Sequence, residues 1–284
     1  MNRDDMGAHP AGSGLPGGSA PLNGIKYSIA VASGKGGVGK STVSVNLAVA
    51  LAQAGAATGL LDADLYGPSI PLMTGINRMP QSNGQKILPL TAHGIRLMSL
   101  GFLMPDGAPV IWRGPMVSGA IRQFLQDVEW GALDYLLIDL PPGTGDAQLT
   151  LAQSLPLAGA VIVMTPQDLA MHIASKALAM FQQLKVPILG IIENMSSFLC
   201  PHCGTPSAIF KQGGARKASE RLGVPFLGEI PLDPTVCQTS DRGEPIVTSH
   251  PDSPVADAFR RVSGALAGRL QEEALSAPVI RIGE

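Results

Sequence analysis

The stretch Gly34-Lys35-Gly36-Gly37-Val38-Gly39-Lys40-Ser41-Thr42 decides the reading of this chain. It matches G-x-x-x-x-G-K-[ST], and it stands where that pattern has a mechanism: after an apolar β-forming run at 27–33 (YSIAVAS) and before a helical stretch at 40–54. The glycines let the backbone curl until several N–H groups face one anion. The helix that starts near Lys40 points its positive dipole end at the same place. Lys40 would then reach the β- and γ-phosphates of a nucleotide, and the Ser41 hydroxyl would ligate Mg²⁺. Lys35 is not needed to cradle phosphates within one chain. It reads either as a solvated loop charge or as a lysine that crosses to a partner's nucleotide and stabilises charge there, as an arginine finger does.

On either side of this loop, short apolar runs alternate with amphipathic stretches. Strands are expected at 27–33, 57–62, 94–100, 133–139, 160–164, 188–193 and 225–230, and helices at 40–54, 116–128, 169–184 and 252–273. Buried strands separated by helices define an α/β fold, a mostly parallel, twisted sheet with helices on both faces. Residues 1–24 are rich in Gly, Pro, Ala and Ser and read as a disordered tail. One domain is expected over 25–275, with a Cys-x-x-Cys segment near 195–206, and 276–284 form a closing tail.

Composition removes several function classes. Mean hydropathy is +0.22, yet every apolar run breaks at Gly, Pro or a charge before the roughly 18 residues a membrane span needs. Twenty basic and 22 acidic residues give a net charge of −2, so no global basic surface argues for nucleic acid. Aromatics are 4%, too few for stacking platforms on single strands. Three cysteines make no disulfide framework and fit a reducing compartment. The start of the chain carries no apolar signal segment, so a soluble, cytoplasmic protein is expected.

Carboxylates stand at the ends of expected strands: Asp62 and Asp64 in LLDADLYGPSIP, and Asp139 in LLIDLPPGTGD. In an open parallel sheet ligands bind at the carboxyl ends of the strands, which brings these acids toward the phosphate loop. Asp62 reads as a supporting hydrogen-bond partner. The segment Pro141-Pro142-Gly143-Thr144-Gly145-Asp146 reads as a moving switch. Asn194 is expected to end the strand at 188–193, and Pro231 and Asp233 follow in GEIPLDP; a turn is the plain reading for these. No NKxD-like guanine reader is present, which favours ATP.

Cys200-Pro201-His202-Cys203 lies in a turn-rich stretch after Asn194. Two thiolates at this spacing can chelate one metal, but a closed zinc site or a cubane cluster takes four ligands, and there is no second Cys-x-x-Cys. The pair reads as a redox dithiol, as half of a zinc site, or as half of a site shared across the two-fold axis of a homodimer. Cys237 reads as an ordinary thiol.

Gly34–Thr42 (GKGGVGKST) resembles the deviant Walker A motif of the MinD/ParA/nitrogenase iron protein group of P-loop ATPases. That resemblance implies a Walker B role for Asp139, holding Mg²⁺ directly or through water, and a switch I role for Asp64, orienting or deprotonating the attacking water. It implies adenine contacts for Asn194, Pro231 and Asp233. With DADLYGPSIP, WRGPM, DLPPGTGD, ENMSSFLCPHCG and GEIPLDP in order, the chain resembles the Mrp/ApbC family of iron–sulfur cluster carriers. The family resemblance implies a homodimer with a labile [4Fe–4S] cluster between paired Cys200 and Cys203. It also implies ATP hydrolysis linked to cluster delivery, with apo-proteins and cluster donors as partners. Many bacterial members carry a small N-terminal domain, where only a short tail is expected here. The competing readings are a zinc-stabilised dimeric ATPase and a positioning or partitioning ATPase. The second would need a basic amphipathic terminus or a basic patch, and only the scattered Lys211, Arg216, Lys217 and Arg221 are available. Trp112 and Arg113 receive no role from the sequence.

Overall fold

The computed structural model describes residues 22, 24–64, 67–103, 114–200 and 202–276. The expected tails at 1–24 and 276–284, Trp112 and Arg113 lie wholly or mostly outside the described residues.

Strand β1 (Ile25–Ala32) is buried from Ser28 onward and leads straight into the phosphate loop, after which helix α1 (Lys40–Gln53) begins. Next come β2 (Thr58–Asp62), the short α2 (Ile70–Met73), β3 (Leu90–Ala92) and β4 (Ile95–Ser99), followed by a 3-10 turn at Leu100–Leu103. Helix α3 (Gly114–Asp127), β5 (Leu133–Asp139), α4 (Asp146–Ser154), β6 (Gly159–Met164) and α5 (Asp168–Gln183) continue the alternation. The chain closes with β7 (Ile188–Leu199), β8 (Pro206–Ser207), α6 (Gly214–Leu222), β9 (Phe226–Leu232), α7 (Pro234–Asp241), α8 (Ile246–Ser249) and α9 (Pro254–Ser276).

The sheet runs β3-β4-β2-β5-β1-β6-β7-β8, with β9 also on β7. Among the described strands, only the pairings β3–β4 and β7–β8 are antiparallel, so the α/β expectation holds. One core lies between the sheet and α3, α4, α5 and α6, built on Phe124, Trp130, Leu151 and Phe181. The opposite core lies under α1, α8 and α9, built on Leu47, Ile70, Ile246 and Phe259. Both sheet faces are covered, which is why β2 and β6 are buried along their whole length and β6 reads as an unbroken apolar run rather than as an alternating one.

Strand β7 departs from expectation. It does not stop at Glu193; it continues to Leu199, and Asn194 lies inside it. Asn194 pairs with Ile230 and Phe198 with Leu232, so four steps along β7 oppose two along β9. This bulge holds Met195 at φ 58°, a left-handed conformation that side chains other than Gly, Asn or Asp seldom adopt. Beyond it the strand pairs with β8, Phe198 to Ser207 and Leu199 to Pro206. The Cys-x-x-Cys therefore occupies the tip of a hairpin grown from β7. Cys200 N–H donates to the Thr205 carbonyl at 3.1 Å, Gly204 N–H donates to the Cys200 carbonyl at 2.8 Å, and Gly204 takes φ 68° to close the turn.

Candidate functional site: a phosphate loop and a thiol hairpin joined by one strand

The order β2-β5-β1-β6 sets the ends of four parallel strands side by side, and the acidic residues arrive through register. Val31 pairs with Asp139 and Asp62 with Asp139, so the end of β5 lies beside the strand that enters the phosphate loop and the end of β2 lies beside that of β5. Asp139 is fully buried and accepts three hydrogen bonds. Lys40 Nζ is 2.7 Å from its Oδ2, Ser41 Oγ donates to that same oxygen at 2.6 Å, and Ser44 Oγ donates to Oδ1 at 2.6 Å. Lys40 is itself buried and has Asp64 Oδ2 at 3.9 Å. Sequence reasoning missed Ser44, although a signal for it existed: it lies one helical turn beyond Lys40, on the same face of α1.

Asp62 carries the supporting role expected of it. Its carboxylate accepts from Ser99 Oγ at 2.9 Å and from the Asp64 backbone N–H at 3.1 Å. Burial, and after it the neighbouring charge of Asp139, push the Asp62 carboxyl up to about 8, against the pull of Ser99, the Asp64 amide and Lys40. The segment at 141–146 is tied to the start of the phosphate loop, since Gly143 N–H donates to the Ser33 carbonyl at 2.9 Å.

A cleft of about 200 Å³ opens over these residues, lined by Ser33, residues 35–42, Asp64, Ser69, Met73 and Pro142. Gly34 lines a smaller hollow with Lys35, Val38 and residues 162–164 of β6. Gly39 is the glycine this arrangement most requires. It takes φ 77° at the start of α1, and a Cβ there would stand 2.3 Å from Asn194 Nδ2. Asn194, in turn, donates from Nδ2 to the Val38 carbonyl at 2.8 Å, so it grips the phosphate loop itself. Among the described residues, Asn194, Pro231 and Asp233 do not line the cleft. Pro231 sits on β9, one residue past the partner of Asn194, and Asp233 caps α7 by accepting from Thr235 N–H at 2.8 Å. Lys35 reaches Gln167, its Nζ 3.0 Å from Oε1, a contact no sequence pattern announces.

Cys203 is exposed and Cys200 half-buried. The Thr205 hydroxyl, 3.2 Å from the Cys203 sulfur, and then the Thr205 backbone and the Cys200 thiol hold the Cys203 thiol below its ordinary value, which favours the metal-binding thiolate. Cys237 is elsewhere, exposed on α7 with its sulfur 3.9 Å from Asp241 Oδ2. Among the described residues no group of three or more His, Cys, Asp or Glu side chains could hold a metal ion, so within one chain Cys200 and Cys203 have no further such ligand. No helix among the described residues is long and apolar enough to cross a membrane.

A parallel sheet with a Gly-rich loop after β1, a buried Lys–Asp pair and a serine on the same carboxylate defines a P-loop NTPase. The family model ParA, described as NUBPL iron-transfer P-loop NTPase, matches residues 24–267, and the chain belongs to that family. It is 53% identical over 242 residues to the iron-sulfur cluster carrier protein of Methanocaldococcus jannaschii, covering 84% of this chain and 83% of the relative. It is 50% identical over 253 residues to the Arabidopsis thaliana iron-sulfur protein required for NADH dehydrogenase, mitochondrial, covering 88% and 81%. Among solved structures, the nucleotide-binding protein of Archaeoglobus fulgidus in complex with ADP superposes with a TM-score of 0.71 at 45% identity, over 78% of this chain and 88% of that one. MinD of Pyrococcus furiosus superposes at 0.65 with 22% identity, over 85% and 98%, which speaks to the fold alone. The resemblance drawn from the motifs is borne out.

Proposed function

We propose that this chain is an ATP-binding and ATP-hydrolysing carrier that holds a labile [4Fe–4S] cluster between two copies and transfers it to apo-proteins in a reducing, cytoplasmic setting. One observation carries the reading: the strand whose Asn194 grips the phosphate loop runs on, six positions later, into Cys200. The phosphate loop is gripped from the middle of β7, and the thiol hairpin grows from its end.

The residues divide the work as follows. Backbone N–H groups of 34–42 and the start of α1 bind the phosphates, and Lys40 moves from Asp139 onto the β- and γ-phosphate oxygens. Ser41 and Asp139 present hard oxygen ligands 2.6 Å apart, a donor pair that fits Mg²⁺. When bound, that ion neutralises charge on the transferring phosphate. Asp64, at the rim of the cleft, orients the attacking water and takes its proton as the terminal phosphate leaves ADP. Lys35 of each chain crosses to the partner's nucleotide. Asn194, Pro231 and Asp233 meet the adenine edge, Asn194 from its place on the phosphate loop. The cluster is cargo: Cys200 and Cys203 from each chain supply its four thiolates at an open, exposed tip from which it can leave. Apo-proteins and cluster donors meet the dimer at that tip.

Anaerobic reconstitution with iron and sulfide tests the reading. The expected result is a dimer with visible iron–sulfur absorption that a Cys200→Ser/Cys203→Ser variant does not develop. Tight zinc binding at the same thiols with no cluster uptake would overturn it in favour of a structural zinc site.

A further inference from the structure

We propose that Gln167 is a positioning residue that holds Lys35 on its own chain and thereby sets the threshold for nucleotide-driven pairing of two copies. The proposal rests on the reading of Lys35 as a crossing lysine. Its evidence is the geometry around one amide oxygen. Gln167 Oε1 lies 3.0 Å from Lys35 Nζ and accepts from Thr165 Oγ1 at 3.2 Å. Thr165 is buried, and Gln167 is the residue from which α5 starts, so the acceptor is fixed from both sides. At the other end, Ser33 Oγ donates to the Lys35 carbonyl at 3.0 Å and pins the lysine's backbone. Just beyond Lys35 the loop has room, since a Cβ at Gly36 or Gly37 would meet no atom within 4 Å. The hydrogen bond to Gln167 is thus the polar contact that keeps this ammonium over its own loop.

The chemistry of the acceptor suits a releasable hold. An ammonium on a neutral amide oxygen is a charge–dipole contact, weaker than the same ammonium on a phosphate. A partner's triphosphate out-competes Gln167, whereas water alone does not. A glutamate at this position would form an ion pair and hold too tightly. The fraction of chains with Lys35 released multiplies the apparent affinity for a partner. Losing one charged hydrogen bond at a half-exposed site shifts that fraction by about three- to tenfold. A symmetric pair counts the shift twice, giving about ten- to a hundredfold in the dimer constant.

Two measurements on the full chain test this. Without nucleotide, acylation of Lys35 by an amine-reactive ester, followed by mass spectrometry, reads the hold directly; Gln167→Ala should raise the labelling rate several-fold and Gln167→Glu should lower it. With magnesium and a non-hydrolysable ATP analogue, a sedimentation concentration series reads pairing. Gln167→Ala should move the dimer midpoint to about ten- to a hundredfold lower concentration, Gln167→Glu should move it higher, and neither should move it in a Lys35→Ala background. Unchanged labelling in Gln167→Ala would overturn the proposal, as would an equal midpoint shift in the Lys35→Ala background, which would mean that Gln167 acts through α5 instead. If no variant pairs under any nucleotide condition while labelling still responds to Gln167, the crossing-lysine reading has failed and the proposal falls with it. That outcome is distinct from failure of the hold.

Discussion

At the scale of single residues, the site crowds three carboxylates and one buried ammonium around the ends of β2 and β5 and the start of α1. Lys40 offsets Asp139 at 2.7 Å, while Asp62, on the neighbouring strand, is left to hold its proton. Its folded value of about 8 lies above the ordinary 3.8. Between those values the unfolded chain has released this proton and the folded chain keeps it, so folding takes a proton up. The Asp62 contribution therefore weakens stability progressively as pH rises from about 4 to about 8 and is constant above that. Asn imitates the protonated acid, because Ser99 and the Asp64 amide still find partners. In EDTA without nucleotide, the urea midpoint of Asp62→Asn should gain on the parent between pH 5 and pH 8; parallel curves would contradict the assignment. Lys35 gives a second test at this scale. Its ammonium is held by Gln167 rather than by the cluster around Asp139, and under the proposed crossing role it serves the partner's chemistry, so Lys35→Ala should lower the hydrolysis rate by about a hundredfold or more, with nucleotide affinity nearly kept. Equal loss in phosphate-release and nucleotide-binding assays would speak against the crossing role.

Among the elements, β7 is the one that matters most and was least legible. The phosphate loop could be read because glycines and an apolar strand announce themselves locally, and Asp62, Asp64 and Asp139 because they stand where apolar runs end. The continuation of β7 through Asn194-Met195-Ser196-Ser197-Phe198-Leu199 lacks an apolar run; its pairing comes from the bulge against β9 and from β8, both tertiary facts. Helix α6 escaped notice for a related reason. It buries Ala215, Ala218 and Ser219, small residues that make no apolar stripe, and its start is fixed by Glu193, which accepts from the Gly213 and Ala215 N–H groups. Glu193, Asn194 and Met195 thus hold, in succession, α6, the phosphate loop and the kink that aims the hairpin. A Cβ at Gly39 would lie 3.6 Å from Met195 Cε, so the kink touches the start of α1 as well. If β7 relays the state of the loop to the hairpin, Met195→Gly should cut the relay. Glycine accepts φ 58° freely, so stability should stay within about 1 kcal/mol of the parent. The effect of ATP on the alkylation rates of Cys200 and Cys203 should disappear while nucleotide still binds. Alkylation that remains ATP-sensitive in this variant would place the relay elsewhere.

For the whole molecule, the decisive quantity is the number of sulfur ligands. One chain brings two thiols to the hairpin tip, and among the described residues no group of three or more His, Cys, Asp or Glu side chains could hold a metal ion. The third cysteine is on α7, in contact with Asp241, and so does not complete the set. A cubane cluster takes four thiolates, so on the proposed reading its binding requires pairing, and the same pairing would bring each Lys35 to the other chain's phosphates. That proposal links cluster and ATP through one equilibrium, so each should strengthen pairing in the presence of the other. Anaerobically reconstituted protein should hold about four irons and four sulfides per two chains. The cluster-loaded protein should sediment as a dimer at concentrations where the unloaded protein with ATP does not. Cys237→Ser should leave both results intact, and Cys200→Ser/Cys203→Ser should lose both. A full cluster on a single chain, or loading that leaves the pairing midpoint unmoved, would contradict the shared site and leave two thiols on each chain without the partner that gives them a use.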